Sequence, residues 1–258
     1  MIEQRTQAYL EAVDRALPGY VTALYVVGSA ALGAWQPNVS DVDTVILTSR
    51  PASIDDLAAL AAVHARMPAS PHLDGVYLEP AMARSWPSDK QVVPFVVNGE
   101  FRTARPCGEL NPVLWLTLQR YGIPVRGPAT AALGVRVDPE ALRRYNLTNL
   151  REYWQSAVAT FPSALAGVAP DEVMDAETVC WFVLGPPRLH YTLAHSDIIS
   201  KSAAGTYLGQ LFPEYAALAQ RAVRWRAGES EQFTAADLAV AGDIVDTVAD
   251  DAWRRYGD

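Results

Sequence analysis

Gly28-Ser29 closes an apolar run, and Asp41 and Asp43 open the next one as Asp-Val-Asp-Thr-Val-Ile-Leu. Aspartate is a poor strand former, and two on the same side of one strand repel, so the pattern calls for a compensating charge. Alternate residues of a strand share a face, which puts these two carboxylates about 7 Å apart. Such a pair at a strand edge suits a divalent cation: Mg²⁺ takes hard oxygen ligands, usually one or two carboxylates plus substrate phosphates. Gly28 allows the backbone to approach a ligand closely. The Ser29 hydroxyl and the N–H groups of a short following helix can grip a phosphate. Gly33 and a turn at Pro37-Asn38 bring the chain back to Asp41. The arrangement reads as a triphosphate cradle beside a metal site.

A third carboxylate would complete such a site. Asp74 begins the strand that follows the next helix. If that strand lies beside the Asp41–Leu47 strand, Asp74 reaches the same place and either accepts a proton from an attacking hydroxyl or shares the metal. Glu79 is the rival, five residues on and therefore on the opposite face; Asp74 is preferred.

The elements that must position these residues follow from periodicity and from turn and cap residues. Residues 3–17 read as an amphipathic helix, 21–27 as a buried strand, 41–47 as the next strand and 53–67 as a helix with Ser53 as N-cap. Residues 73–79 read as a third strand and 92–101 as extended, with Pro94 marking an edge or bulge. Residues 111–121 read as a helix capped by Asn111 with Pro112 in first position, and 123–128 as a short extended piece. After about residue 137 the strand signals stop. Leu142, Leu150, Tyr153 and Ala157 recur at helical spacing, and further helices are expected near 171–184, 199–211, 214–227 and 234–255, the last capped by Thr234. Gly185-Pro186-Pro187 and Phe212-Pro213 read as breaks between them. The organisation expected is α+β: a mixed sheet with flanking helices over 1–137, then an all-α bundle over 138–258.

The chain has 258 residues, half of them hydrophobic, so it can bury a real core. Its net charge of −8, from 21 basic and 29 acidic residues, comes without any Lys/Arg run, only the pairs Arg143-Arg144 and Arg254-Arg255. A broad nucleic-acid surface needs clustered cations, so no nucleic acid is expected; the acidic balance favours a cationic small partner. Cys107 and Cys180 lack metal spacing and read as buried thiols in a reducing compartment. Neither a signal-peptide h-region nor a membrane span is evident. A cytoplasmic monomer away from membranes is expected.

On its motifs the chain resembles a known group. Gly28-Ser29, a spacer, Asp41-x-Asp43 and a later strand aspartate resemble the polymerase-beta-like nucleotidyltransferase superfamily. More closely, "YVVGSAALGAWQPNVSDVDTVIL" and "PPRLHYTLAHSDIISKSAAGTYLGQLFPEY" resemble the aminoglycoside adenylyltransferases that modify streptomycin and spectinomycin. The resemblance implies a polymerase-beta-like nucleotidyltransferase fold and Mg²⁺-dependent transfer of AMP from ATP to a hydroxyl of an aminoglycoside-like cation, with release of pyrophosphate. It implies Asp41, Asp43 and Asp74 as metal ligands, with Asp74 as base, and Gly28, Ser29, Arg188 and Lys201 on the nucleotide. Trp154, Asp175 and Glu177, with Asp171, are its candidates for the drug.

Plainer roles stand beside these. Trp154 lies on an apolar helical face, as core residues do. Asp175 and Glu177 lie where a helix starts, as capping residues do. Arg188 and Lys201 could be helix-end cations favoured by the macrodipole. Two other functions share the scaffold: nucleotidyl transfer to a protein or RNA, and nucleotide binding without catalysis. Retention of the aspartates speaks against the last, and the missing basic patch against RNA.

Overall fold

The computed structural model describes residues 1–37, 39–85 and 90–257, in two units, Met1–Asp138 and Pro139–Asp258. In the first unit α1 (Ile2–Ala16) precedes β1 (Val21–Val26), α2 (Gly28–Ala31), β2 (Val42–Thr48), α3 (Ile54–His64) and β3 (Leu73–Leu78). Then come β4 (Phe95–Val97), β5 (Glu100–Arg102), α4 (Pro112–Tyr121) and β6 (Ile123–Arg126). The strands form one mixed sheet in the order β5-β4-β3-β2-β1-β6. Only β2 and β3 are parallel. A parallel pair needs a crossover, and α3 supplies it. It starts at a capping box between Ser53 and Asp56, and Arg50 pairs with the same carboxylate. Asn111 accepts from the N–H groups of Val113 and Leu114 to start α4.

Both faces of the sheet are covered, which explains the nearly unbroken apolar runs of β1 and β2. Val45, Leu47, Val76 and Leu78 face Trp115 and Leu118 of α4. Val42, Ile46 and Tyr77 face the other way, toward Tyr9 and Val13 of α1 and Leu60 of α3. Burying each large apolar side chain is worth about 1.5–3 kcal/mol, so a one-residue slip of β2 would be costly. The register is therefore firmly specified.

The 92–101 segment is not one extended piece. It is the β4–β5 hairpin, turned at Asn98 and Gly99 with φ of 52° and 73°. Two consecutive positive φ values give a primed turn that matches the twist of the strands, and Asn-Gly is its preferred pair. Of the expected Pro37-Asn38 turn, Asn38 lies outside the described residues.

In the second unit α5 (Pro139–Asn149) runs through a π-helical stretch, Leu150–Gln155, into α6 (Ser156–Val158) and α7 (Phe161–Ala164). After β7 (Val173–Met174) follow α8 (Ala176–Leu184), α9 (Pro186–His195), α10 (Lys201–Leu211), α11 (Ala216–Arg226), β8 (Phe233–Thr234) and α12 (Ala235–Tyr256). The core gathers Leu150, Val183, Leu208, Ala222 and Val248 from five of these segments. Two expectations are corrected here. Pro186 and Pro187 do not merely break a helix; they begin α9, since proline's missing N–H is harmless in a first turn. The unit is not purely α either, because Val173 pairs with Thr234 and Met174 with Phe233 in a two-residue ladder. Thr234 caps α12 in a capping box with Asp237. Cys107 and Cys180 are both free and buried. No described helix is long and apolar enough to cross a membrane.

Candidate active site

The antiparallel pairing of β1 with β2 sets Val26 opposite Thr44, and the Val27 N–H donates to the Asp43 carbonyl at 2.9 Å. Gly28, the next residue, is thereby pressed against the Asp43 side chain. Its φ is +59°, and a Cβ built there would fall inside the Asp43 carboxylate. Only glycine fits, on both counts. Ser29, half-buried, is the second residue of α2. The spacer then folds back tightly. Trp35 Nε1 donates to the Asp41 carbonyl at 3.1 Å, and the Gln36 N–H donates to Ser40 Oγ at 3.1 Å. Asp41 arrives at β2 with its backbone pinned.

Across the parallel pair Asp43 stands opposite Asp74. Both continue the rows of Val45–Leu47 and Val76–Leu78, so they lie on the α4 side of the sheet, and Asp41, just before β2, is near enough for its charge to act on Asp74. Glu79 lies beyond the far end of β3, and its charge is felt by Tyr20 on the opposite face. The pairing therefore selects Asp74 over Glu79 as the neighbour of Asp43. Asp74 is 8 % exposed. Its Oδ2 accepts from the Asn98 N–H at 2.6 Å and its Oδ1 from the Gly99 N–H at 2.9 Å. Burial pushes its carboxyl above the usual range; the two N–H groups oppose that shift and the charge of Asp41 adds to it. His72 closes the corner: its N–H donates to Asp41 Oδ1 at 3.2 Å, and its ring lies where a side chain at Gly99 would go.

The sequence reading missed this hairpin buttress. Asn98-Gly99 was the available signal, an adjacent pair with a strong preference for a hairpin turn. His72 carried no signal of its own.

Among the described residues, no three His, Cys, Asp or Glu side chains converge closely enough to enclose a metal ion. The donor set nevertheless fits a hard divalent cation. Mg²⁺ is held by one or two carboxylates together with substrate phosphates, not by a closed protein cage. Asp41 and Asp43 offer such a pair beside the position that excludes every side chain but glycine's. Asp74, with two of its lone pairs used by N–H donors, keeps others free to accept.

In the second unit Arg188 is the third residue of α9, and its Nε donates to the Ile199 carbonyl at 3.2 Å. Lys201 is the first residue of α10, capped by Ser200, and its Nζ lies 4.6 Å from the Trp181 ring centre. Both cations thus occupy first turns, where the macrodipole opposes positive charge. That removes the expectation that helix ends favour them. Trp181 escaped the sequence reading; it is 40 % exposed and one helical turn beyond Glu177. Trp154 is buried in the core against Trp181 and Phe182. Asp175 is the N-cap of α8, its Oδ2 accepting from the Thr178 N–H at 2.7 Å and Thr178 Oγ1 at 2.6 Å. Those two bonds, the hydroxyl's first, hold its carboxyl below the usual range. Glu177 and Asp171 are exposed.

A family model described as a nucleotidyltransferase domain matches residues 7–73, and one described as the C-terminal domain of aminoglycoside adenylyltransferases matches residues 149–251. The chain is a nucleotidyltransferase of the aminoglycoside adenylyltransferase family. The first match spans Gly28, Ser29, Asp41 and Asp43 and the second spans Arg188 and Lys201, whereas Asp74 lies one residue beyond the first. Among solved structures it is similar to spectinomycin adenyltransferase AAD(9) from Enterococcus faecialis, crystallised with ATP and spectinomycin. The TM-score is 0.71 at 16 % identity, over 96 % of this chain and 98 % of that one. At that identity the likeness is one of fold. No match was found among curated proteins.

Proposed function

We propose that this nucleotidyltransferase moves AMP from ATP to a hydroxyl of an aminoglycoside-like cation and releases pyrophosphate. The observation that carries the reading is the in-register pairing of Asp43 with Asp74 on one sheet face, beside a glycine whose Cβ the Asp43 carboxylate excludes. Gly28 and Ser29 would seat the nucleotide's phosphates, and Asp41, Asp43 and Asp74 would hold Mg²⁺. Mg²⁺ when bound neutralises phosphate charge and polarises the α-phosphoryl group.

The protein's own part is positioning and proton handling. Asp74, fixed by the Asn98 and Gly99 N–H groups, takes the proton of the acceptor hydroxyl. The acceptor oxygen forms its bond to the α-phosphorus while the bond from that phosphorus to the bridging α–β oxygen breaks, and the electron pair leaves on pyrophosphate. Arg188 and Lys201 neutralise the departing charge. Their placement in first turns, against the helix dipoles, supports an anionic ligand. Asp175 and Glu177 attract the cationic acceptor; Trp154, the third candidate for the acceptor, is buried against Trp181 and Phe182, which favours its plainer role in the core. The neighbour bound to spectinomycin supports that acceptor class. A reaction that draws on ATP and inactivates an antibiotic belongs in the cytoplasm, and the chain is expected to act as a monomer without nucleic acid or membrane.

The test is to incubate the full chain with labelled ATP, Mg²⁺ and a panel containing spectinomycin, streptomycin and other aminoglycosides. Pyrophosphate release that depends on one of these acceptors, with a labelled drug product, is expected. Tight ATP binding with no turnover on any acceptor overturns the reading in favour of a nucleotide-binding protein, and labelled protein or RNA overturns it in favour of a macromolecular acceptor.

A further inference from the structure

Three arginines lie on α11, and the fold treats them differently. Arg221 forms two bonds to Asp237, at 2.6 and 2.9 Å, and one to the Gln232 carbonyl at 2.6 Å. Arg224 Nε donates to Glu231 at 2.6 Å and lies 3.8 Å from Glu229. The carboxylates near the end of the helix are spent on these two. Arg226, at 8 % exposure the most buried of the three, is passed over. Its Nε has no hydrogen-bond partner, and no ion pair among the described residues includes it; the one carboxylate whose charge reaches it, Glu177, makes no hydrogen bond to it.

A buried, unpaired guanidinium is costly, and buried polar atoms without partners are few enough in folded proteins for each to need a cause. The position on α11 is the last one, where the dipole favours a cation. The carbonyls of its own last turn do not receive its Nε–H: Val223, Arg224 and Trp225 accept from the N–H groups of Ala227, Glu229 and Gly228, and the Nε is left without a partner. One turn back along α11, the Ala222 carbonyl meets the Cys180 thiol of α8. The fields of three cations, Arg226, Lys201 and Arg221, reach that thiol, against one carboxylate, Asp175. Trp181, next to Cys180, is the residue on which Lys201 rests. Burial, the orphaned Nε and the company of a second cation point to an anion.

We propose that Arg226 is a third phosphate-binding residue, taking the polyphosphate end of the nucleotide with Arg188 and Lys201. This rests on the nucleotide reading above and extends it to a residue for which neither motif nor resemblance gave a role. A guanidinium fork suits phosphate oxygens in a way that a lysine does not.

The experiment uses the full chain as wild type, Arg226→Met and Arg226→Lys, titrated with ATP, with inorganic tripolyphosphate and with adenosine in the presence of Mg²⁺, alongside ligand-free melting temperatures. The expected result for Arg226→Met is about ten- to a hundredfold weaker ATP and tripolyphosphate binding, with adenosine binding unchanged. Its ligand-free melting temperature should be equal to or above wild type, because a buried cation with an unsatisfied Nε is gone. Arg226→Lys should bind both phosphates with intermediate affinity. Undiminished tripolyphosphate binding by Arg226→Met overturns the proposal, as does a melting temperature several degrees lower, which would make Arg226 a structural residue. If Arg226→Met does not fold, Arg226→Lys decides alone: wild-type affinity for tripolyphosphate overturns. Failure of the wild type itself to bind ATP would bring down the nucleotide reading and this proposal with it, a result distinct from all the others.

Discussion

Asp41, Asp43 and Asp74 are held by a sheet; Arg188, Lys201 and Arg226 are held by helix ends. Both sets gather like charge, but the means differ. On the sheet, register places Asp43 opposite Asp74, and the N–H groups of Asn98 and Gly99 fix the latter's oxygens. On the helices, Arg188 donates to the loop carbonyl of Ile199, Lys201 lies over the Trp181 ring, and the Arg226 Nε has no hydrogen bond. A ladder of strand pairs cannot shift by a fraction of a residue, whereas long cationic side chains can swing. Substitutions on the sheet side should therefore abolish activity outright, and those on the helical side should grade it.

The largest effect should come from Asp43→Asn. Loss of one metal-facing carboxylate should lower acceptor-dependent pyrophosphate release by about a thousandfold. Mg²⁺ with ATP should stabilise the wild type and not the variant. Retained turnover in Asp43→Asn would break the contrast at its strongest point.

Asp74→Asn should cost about a hundredfold or more and change the pH profile. Burial raises the Asp74 carboxyl, so wild-type activity should fall as pH drops through a value above the ordinary carboxylate range, and the variant's residual activity should lack that limb. The sign for stability is the reverse of a paired carboxylate's. A folded-state value above the unfolded one means that the protonated form favours the fold; that contribution is complete below the unfolded value and is lost as pH rises through the folded one. An acid limb that survives in Asp74→Asn would assign it to another group.

Gly28→Ala tests rigidity directly. The new Cβ meets the Asp43 carboxylate, and the residue must also keep a φ of +59°. Strain of about 1–3 kcal/mol should appear in chemical denaturation, together with an activity loss out of scale with it, since Asp43 must move. A variant destabilised but fully active would show that Asp43 can give way, and the proposed rigidity of the sheet side would be wrong.

Much of this sheet could be read from residue order. Asp41, Asp43, Val45 and Leu47 alternate in step, and apolar runs and caps at Ser53 and Asn111 marked the elements. The register across β2 and β3 could not be read, because it depends on where the α3 crossover lets the chain rejoin the sheet. The second unit was harder, for local reasons. Pro186-Pro187 carries the same letters whether it stops one helix or starts another, and only packing decides. Arg188 lies outside every expected helix, and Lys201 already stands in the first turn of the expected 199–211 helix. Reading either as a helix-end cation favoured by the dipole therefore had no support from the expected boundaries, and the structure places both in first turns. The β7–β8 ladder, two residues a side, is too short to show any periodicity. Arg226 could not be singled out at all, since its neighbours' ion pairs are what leave it over.

The smallest effect should separate the two roles open to Asp175 and Glu177. Asp175 already serves as a cap, and its lowered carboxyl contributes stability above the unfolded value that is lost as pH falls through the folded one. Asp175→Ala should therefore cost about 1 kcal/mol of stability, whatever the acceptor does. Asp175→Asn is the informative change, because asparagine caps about as well as aspartate while discarding the charge. If the carboxylates of this helix start attract a cationic acceptor, Asp175→Asn and Glu177→Gln should each raise the acceptor KM by about two- to fivefold, the scale of one exposed charge, with the ATP KM unchanged and the effect fading as salt is added. An acceptor KM indifferent to both changes would confine Asp175 to capping and move the search for the acceptor's anionic partner elsewhere in the chain.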